Sequence, residues 1–187
     1  NRMIDEPAEA LDIDVQTIIE ETELNLKMTF SPEQRQAIHL AVDRRLVIIT
    51  GQPGTGKSTI LMAISIAFER AGLTIALCAP TGRAAQRMSD ATGHEAKTLH
   101  RLLEYSPHAR KFLKNEEDPL EAHVVIIDET SMVDLNLLFH LLKGLSSACR
   151  LVFIGDKDQL PSVSPGSILR DLIASRRVPV VELQHIF

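Results

Sequence analysis

Apolar residues in this chain gather in short blocks separated by polar stretches that carry Gly or Pro. Five blocks, Leu46–Thr50, Thr74–Ala79, Val124–Asp128, Leu151–Gly155 and Pro179–Leu183, are rich in Val, Ile and Leu and do not alternate in polarity. Strands of that kind are covered on both faces, as in parallel sheets. Between them the pattern predicts helices, at Lys57–Arg70 followed by Gly72 and at Asp134–Lys143 followed by Gly144, each closed by its glycine. Another helix is predicted to start at Ser31-Pro32-Glu33-Gln34, where a hydroxyl cap, a first-turn Pro and a Gln three residues past the cap form a capping box. The β and α segments alternate, which predicts an open parallel sheet with helices on both faces, a three-layer α/β/α fold. Ligands of such sheets bind beyond the carboxyl ends of the strands.

Residues 1–28 hold only one short amphipathic stretch, around Val15–Ile19, and are expected to be the tail of an upstream domain or a linker; residues 29–187 then form the main domain. At 187 residues and 44% hydrophobic, the chain suits one well-buried domain rather than a disordered segment. No apolar run approaches the ~20 residues of a membrane span, and the acidic N-terminus lacks the basic start of a secretory signal. The chain has no initiator Met and stops soon after an apolar strand, so it reads as a piece of a longer protein. Cys78 and Cys149 lie beside predicted core strands without metal-ligand spacing, and are expected to be reduced, buried thiols of a cytoplasmic protein.

The net charge of −5 argues against a polyanionic partner until its distribution is considered. Residues 1–24 hold eight acids against one base, Arg2, while the remainder holds 17 acids and 19 bases. The acidity belongs to the N-terminal segment, and the main domain is free to bind phosphate.

Gly51-Gln52-Pro53-Gly54-Thr55-Gly56-Lys57-Ser58 matches G-x-x-x-x-G-K-[ST] between a predicted strand and a predicted helix. Glycines let the backbone curl so that successive N–H groups face an anion, and the helix N-terminus adds partial positive charge. Lys57 suits the β- and γ-phosphates of a nucleotide and the Ser58 hydroxyl suits Mg²⁺, with Thr59 completing the contact. A second motif, Val124-Val125-Ile126-Ile127-Asp128-Glu129, delivers Asp128 at a strand end to hold Mg²⁺ and places Glu129 to take a proton from an attacking water. Together they predict a P-loop NTPase that uses ATP and Mg²⁺.

Further stretches resemble the RecD-like group of superfamily 1 DNA helicases, which includes the alpha subunit of exodeoxyribonuclease V. The resemblance covers roughly residues 29–187, the first motor domain. Phe30-Ser31-Pro32-Glu33-Gln34 looks like the family's Q motif, which implies that Gln34 reads the adenine edge, although the capping box alone also accounts for it. Ala79-Pro80-Thr81-Gly82-Arg83-Ala84-Ala85 resembles motif Ia and Thr98-Leu99-His100 the T-x-H element, which implies that Pro80, Thr81, Gly82, Arg83, Thr98 and His100 meet the backbone of single-stranded DNA. Asp128-Glu129-Thr130-Ser131 has the group's D-E-x-S form, and Gly155-Asp156-Lys157-Asp158-Gln159-Leu160-Pro161 resembles motif III, with Gln159 sensing the γ-phosphate.

The resemblance implies Lys57, Glu129 and Gln159 as catalytic groups and a short hairpin within residues 105–119 acting as a duplex-splitting pin; a plain surface loop is the alternative there. It also implies 5′ to 3′ movement on single-stranded DNA at a duplex junction, a role in recombination and repair, and nuclease and helicase partners of an exodeoxyribonuclease V-type complex, with no membrane partner. The second motor domain and its arginines are missing, so the chain by itself is expected to bind nucleotide but hydrolyse it poorly. The helicase module of a conjugative relaxase and a P-loop ATPase acting on protein partners remain open alternatives.

Overall fold

The computed structural model describes residues 4, 8–160 and 166–186. Six strands form one parallel sheet: β1 (Leu46–Gly51), β2 (Ile75–Ala79), β3 (Ala96–Thr98), β6 (Val124–Ile127), β7 (Arg150–Gly155) and β8 (Val180–Leu183), in the spatial order β3-β2-β6-β7-β1-β8. All five strands expected from the apolar blocks are present. β3 was not expected, because Ala96-Lys97-Thr98 has no apolar run; it forms by pairing with β2, Ala79 opposite Thr98.

Alternate residues of the strands sort onto two apolar faces. Val47 and Ile49, Val124 and Ile126, Val152 and Ile154 face one layer, with Ala37 and Ile38 of α2 (Pro32–Asp43) and Ile60, Ile64 and Phe68 of α3 (Lys57–Arg70). Ile48, Val125, Ile127, Leu151 and Phe153 face the other, with Leu137, Leu138 and Leu141 of α6 (Leu135–Gly144) and Ile168 and Leu169 of α7 (Ile168–Ser175). Because both faces are covered, the strands need apolar residues at every position. α4 (Gly82–Thr92) follows β2 and buries Ala84, Ala85 and Met88, while α5 (Leu99–Leu102) is a single short turn after β3.

Two expectations change. Residues 1–28 are expected to be the tail of an upstream domain or a linker, yet within them α1 (Val15–Leu26) packs Val15, Ile18 and Ile19 into the first core layer. Apolar residues at i, i+3 and i+4 need a partner, and α1 lies against α3. Arg35 of α2 pairs with Glu23 at 2.6 Å, fixing α1 at its other end. Gly144, expected to follow and close the helix, is instead the last residue of α6 and has no positive φ. A Cβ there would meet Leu103 Cδ2 at 3.2 Å and the Lys114 carbonyl oxygen at 3.3 Å, so the glycine answers a close approach. Gly72 does take φ +72° beyond α3.

Within residues 105–119 a small antiparallel hairpin is present, β4 (Tyr105–Ser106) with β5 (Lys111–Phe112). Phe112 points inward, against His140 of α6 at 4.6 Å between ring centroids, and Tyr105 and His100 stack around it. Cys78 and Cys149 are buried free thiols, and burial pushes both up, Cys149 to about 11. Among the described residues no helix is long and apolar enough to cross a membrane.

Candidate nucleotide site and the neighbouring sheet edge

Three adjacent strands, β6, β7 and β1, deliver the chemistry at their carboxyl ends. After β1 the chain turns through Gly54 (φ +85°) and Gly56 (φ +79°) into α3, so the loop opens with the amides of the helix start unpaired by any side-chain cap. Gly51 has a different reason: a Cβ there would lie 2.5 Å from Thr55 Oγ1 and 2.9 Å from Leu183 Cβ. Thr55 Oγ1 donates to the Gln52 carbonyl at 2.8 Å and closes the loop on itself. Lys57 reaches back across it, donating to the carbonyls of Gly51 (2.6 Å) and Gln52 (3.0 Å).

Gln34 braces this loop from outside. Its Oε1 accepts from Ser31 N at 2.8 Å, completing the capping box of α2, and its Nε2 donates to the Thr55 carbonyl at 3.1 Å. It is 1% exposed and is absent from the walls of the two clefts described below, so in this geometry its amide serves as a strut.

At the end of β6, Asp128 is half-buried and accepts from Glu129 N at 2.8 Å. Burial pushes its carboxyl above the usual range, and the neighbouring Glu129 charge adds to that. Glu129 itself sits in the left-handed region (φ +53°) at the head of a 3-10 turn, Thr130–Met132. Thr130 Oγ1 binds that turn to both strands, donating within reach of the Ile127 (3.1 Å) and Ile154 (2.9 Å) carbonyls. Gly155 lets the end of β7 approach, since a Cβ would stand 3.2 Å from Thr130 N.

The loop after β7 carries Gln159, whose Oε1 lies 3.5 Å from Ser131 Oγ. Lys157 N donates to Thr50 Oγ1 at 3.1 Å, tying this loop to β1. Arg170 of α7 holds it from the far side, Nε to the Lys157 carbonyl at 2.7 Å and Nη2 to the Gln159 carbonyl at 3.5 Å. Pro161 of the expected motif lies outside the described residues.

These parts line one cleft of about 620 Å³, with Gly54, Gly56, Lys57, Ser58, Asp128, Glu129 and Gln159 among its walls. Burial lowers Lys57, opposed by the carboxylates of Asp156, Asp128 and Glu129. The donor set is one half-buried carboxylate, Asp128, and one hydroxyl, Ser58, beside a phosphate-sized cradle. Among the described residues no group of three or more His, Cys, Asp or Glu is placed to hold a metal ion. That set suits a divalent ion carried in with phosphates better than an all-protein cage.

Two features escaped the sequence reading. Arg87 of α4 lines the same cleft and pairs with Glu129 at 2.8 Å; its place four residues after Arg83, on the same helix face, was the available signal. A second cleft of about 430 Å³ opens beside the capping box, lined by Thr29, Phe30, Ser31, Pro32, Glu33, Gln184 and His185, residues from both ends of the main domain that no local pattern joins.

The other predicted set lies one strand further on. Thr81 caps α4 by accepting from Ala84 N at 3.2 Å, and Thr98 caps α5 by accepting from Arg101 N at 3.2 Å. The pairing of Ala79 with Thr98 brings both caps to the same sheet edge. Pro80 is half-buried between them, and Gly82, Arg83 and His100 are exposed there.

Residues 34–165 match the family model of an AAA domain (AAA_19), and the chain belongs to that family of nucleotide-binding domains. Its parallel six-stranded sheet with flanking helices is a RecA-like fold, and over most of its length the chain is similar to RecD and RecD2 helicases. It is 40% identical over 157 residues to the ATP-dependent RecD2 DNA helicase of Deinococcus radiodurans, covering 84% of this chain and 21% of that protein. It is 38% identical over 182 residues to the RecBCD enzyme subunit RecD of Mycolicibacterium smegmatis, covering 83% and 33%. Among solved structures, Pif1 from Bacteroides sp. superposes with a TM-score of 0.60 at 28% identity, covering 86% of this chain and 42% of that one. Two coordinating Pif1 helicases at forked double-stranded DNA give 0.62 at 27% identity, covering 86% and 45%. The chain thus spans a fifth to a third of the length of these curated relatives.

Proposed function

We propose that this domain is the ATP-hydrolysing half of a DNA helicase or translocase that moves 5′ to 3′ on single-stranded DNA. The observation that carries the reading is the convergence of Lys57, Ser58, Asp128, Glu129 and Gln159 on one cleft, next to an edge of helix caps and exposed cations.

In this reading the triphosphate lies along the loop from Gly51 to Thr59, the Gln52 and Pro53 backbone included, with the amides of α3 on the β- and γ-phosphates. Lys57 exchanges its two carbonyl partners for phosphate oxygens. Burial makes its ammonium costly, and a polyanion supplies the charge that Asp156, Asp128 and Glu129 supply in part. Ser58 and Asp128 would hold Mg²⁺, which would supply positive charge against the triphosphate. Glu129 takes the proton as water attacks the γ-phosphorus and the bond to the bridging oxygen breaks. Gln159, fixed by Ser131 and Arg170, registers whether the γ-phosphate is present. Gln34 keeps the loop in shape from behind, and the cleft lined by Ser31, Glu33 and His185 is the place for the adenine, whose edge Gln34 reaches only by giving up one of its present bonds.

Thr81, Gly82, Arg83, Thr98 and His100, with Pro80 shaping the turn, receive the DNA backbone through side chains and helix-start amides without reading bases. The β4–β5 hairpin beside them meets the duplex junction as the pin. A second motor domain closes the cleft with its arginines, a contribution of roughly 10³–10⁵ in rate. The setting is cytoplasmic recombination and repair, alone or with the nuclease and helicase subunits of an exodeoxyribonuclease V-type complex.

The test is ATP hydrolysis by the full-length protein with and without an oligo-dT strand. Strong stimulation, together with protection of Thr81, Arg83 and His100 from footprinting, supports the reading. Turnover indifferent to DNA would instead favour an ATPase acting on protein partners.

A further inference from the structure

Arg87 and Glu129 come from different strands' ends. Arg87 lies in α4, the helix that begins with the Thr81 cap at the sheet edge; Glu129 follows β6 and is the carboxylate placed to receive the hydrolytic proton. The Arg87 guanidinium donates to Glu129 Oε1 at 2.8 Å while its side chain remains 63% exposed. Both residues line the nucleotide cleft.

We propose that Arg87 is a positioning residue that holds Glu129 away from its hydrolytic pose and releases it when a DNA strand engages the start of α4. The proposal rests on the reading of Thr81 and Arg83 as strand contacts. Arg83 and Arg87 stand one helical turn apart on one face of α4. That helix is a rigid lever: Ala84, Ala85 and Met88 anchor its other face in the core, and Thr81 fixes its first turn. Phosphates drawn to Arg83 and to the α4 amides load the end of the helix, and a small tilt there displaces Arg87 from the oxygen it grips.

A carboxylate oxygen occupied by a guanidinium is not offered to water, so the pair suppresses turnover until it opens. Its exposure makes it weak enough to serve as a latch, because exposed ion pairs shift equilibria only a few-fold. Glu129 also holds a left-handed backbone, a sparsely populated conformation of the kind that clusters at active sites and switch regions.

The test compares the full-length wild type with Arg87→Ala and Arg87→Lys in ATPase assays with and without oligo-dT. The expected result for Arg87→Ala is a two- to fivefold rise in DNA-free kcat, with KM for ATP unchanged and the stimulation factor reduced in proportion. Arg87→Lys falls between. A damaged fold does not raise turnover, and an unchanged melting temperature of this exposed variant confirms that the effect is local. A fall in DNA-free and DNA-saturated kcat alike, or equal stimulation in variant and wild type, overturns the relay alone. Absence of stimulation in the wild type overturns the functional reading, and the relay with it.

Discussion

At the ends of β1, β6 and β7, backbone is tied to backbone through the buried side chains of Gln34, Thr50 and Thr130 and through an exposed arginine, whereas at the ends of β2 and β3 two threonines cap helices whose next residues reach solvent. Gln34 braces Thr55, Thr50 braces Lys157, Thr130 bridges β6 and β7, and Arg170 clamps the Gln159 loop. Thr81 and Thr98, by contrast, hold only their own helices. A triphosphate is a fixed object, and a cradle for it gains from preorganisation. A strand that must slide needs contacts that form and break, for which exposed cations and helix-start amides suffice. Among the described residues, the ion pair that joins the two regions is Arg87 with Glu129.

That contrast breaks in order of expected effect. Glu129→Gln in the full-length protein lowers kcat by about 10²–10⁴-fold while nucleotide titration shows retained binding; a milder loss would show that another group takes the proton. Gly51→Ala forces a Cβ onto Thr55 Oγ1 and Leu183, and costs about 1–3 kcal/mol of stability in denaturant melts along with nucleotide affinity. On the edge the effects are smaller and separate from the cradle. Thr81→Ala costs about 1 kcal/mol as a lost cap, with Thr81→Ser restoring it. Arg83→Ala leaves DNA-free hydrolysis intact and reduces the salt slope of strand binding by about 1 in fluorescence titrations.

The smallest effect concerns pH. Burial raises the folded Asp128 carboxyl above its unfolded value, so the protonated form favours the fold and stability is lost as pH rises from the ordinary carboxylate range through the folded value. Asp128→Asn removes that loss: its melting temperature relative to wild type rises from acid to neutral pH even as turnover falls. A parallel pair of melting curves across pH would assign Asp128 no such burden.

Much of this was legible because strand burial and phosphate binding both leave strong local patterns. The doubly covered strands required uninterrupted Val, Ile and Leu, and an anion cradle required glycines between a strand and a helix. What stayed hidden depended on contacts between distant segments. β3 exists only by pairing with β2, Gly144 answers the approach of Leu103 and Lys114, and α1 belongs to the core because α3 offers it a face. Gln34 was the instructive case: its spacing announced a capping box, but the second bond, to Thr55, spans 21 positions and no local pattern implies it.

The central claim is that the loop after β1 is a preformed triphosphate cradle, and the most direct measurement is a structure of the protein with Mg²⁺ and a non-hydrolysable ATP analogue. The account predicts β- and γ-phosphates against the amides from Gly54 to Ser58, the ion between Ser58 and Asp128, and Lys57 moved from the Gly51 and Gln52 carbonyls onto phosphate. A triphosphate bound elsewhere, with Lys57 still on those carbonyls, would contradict it.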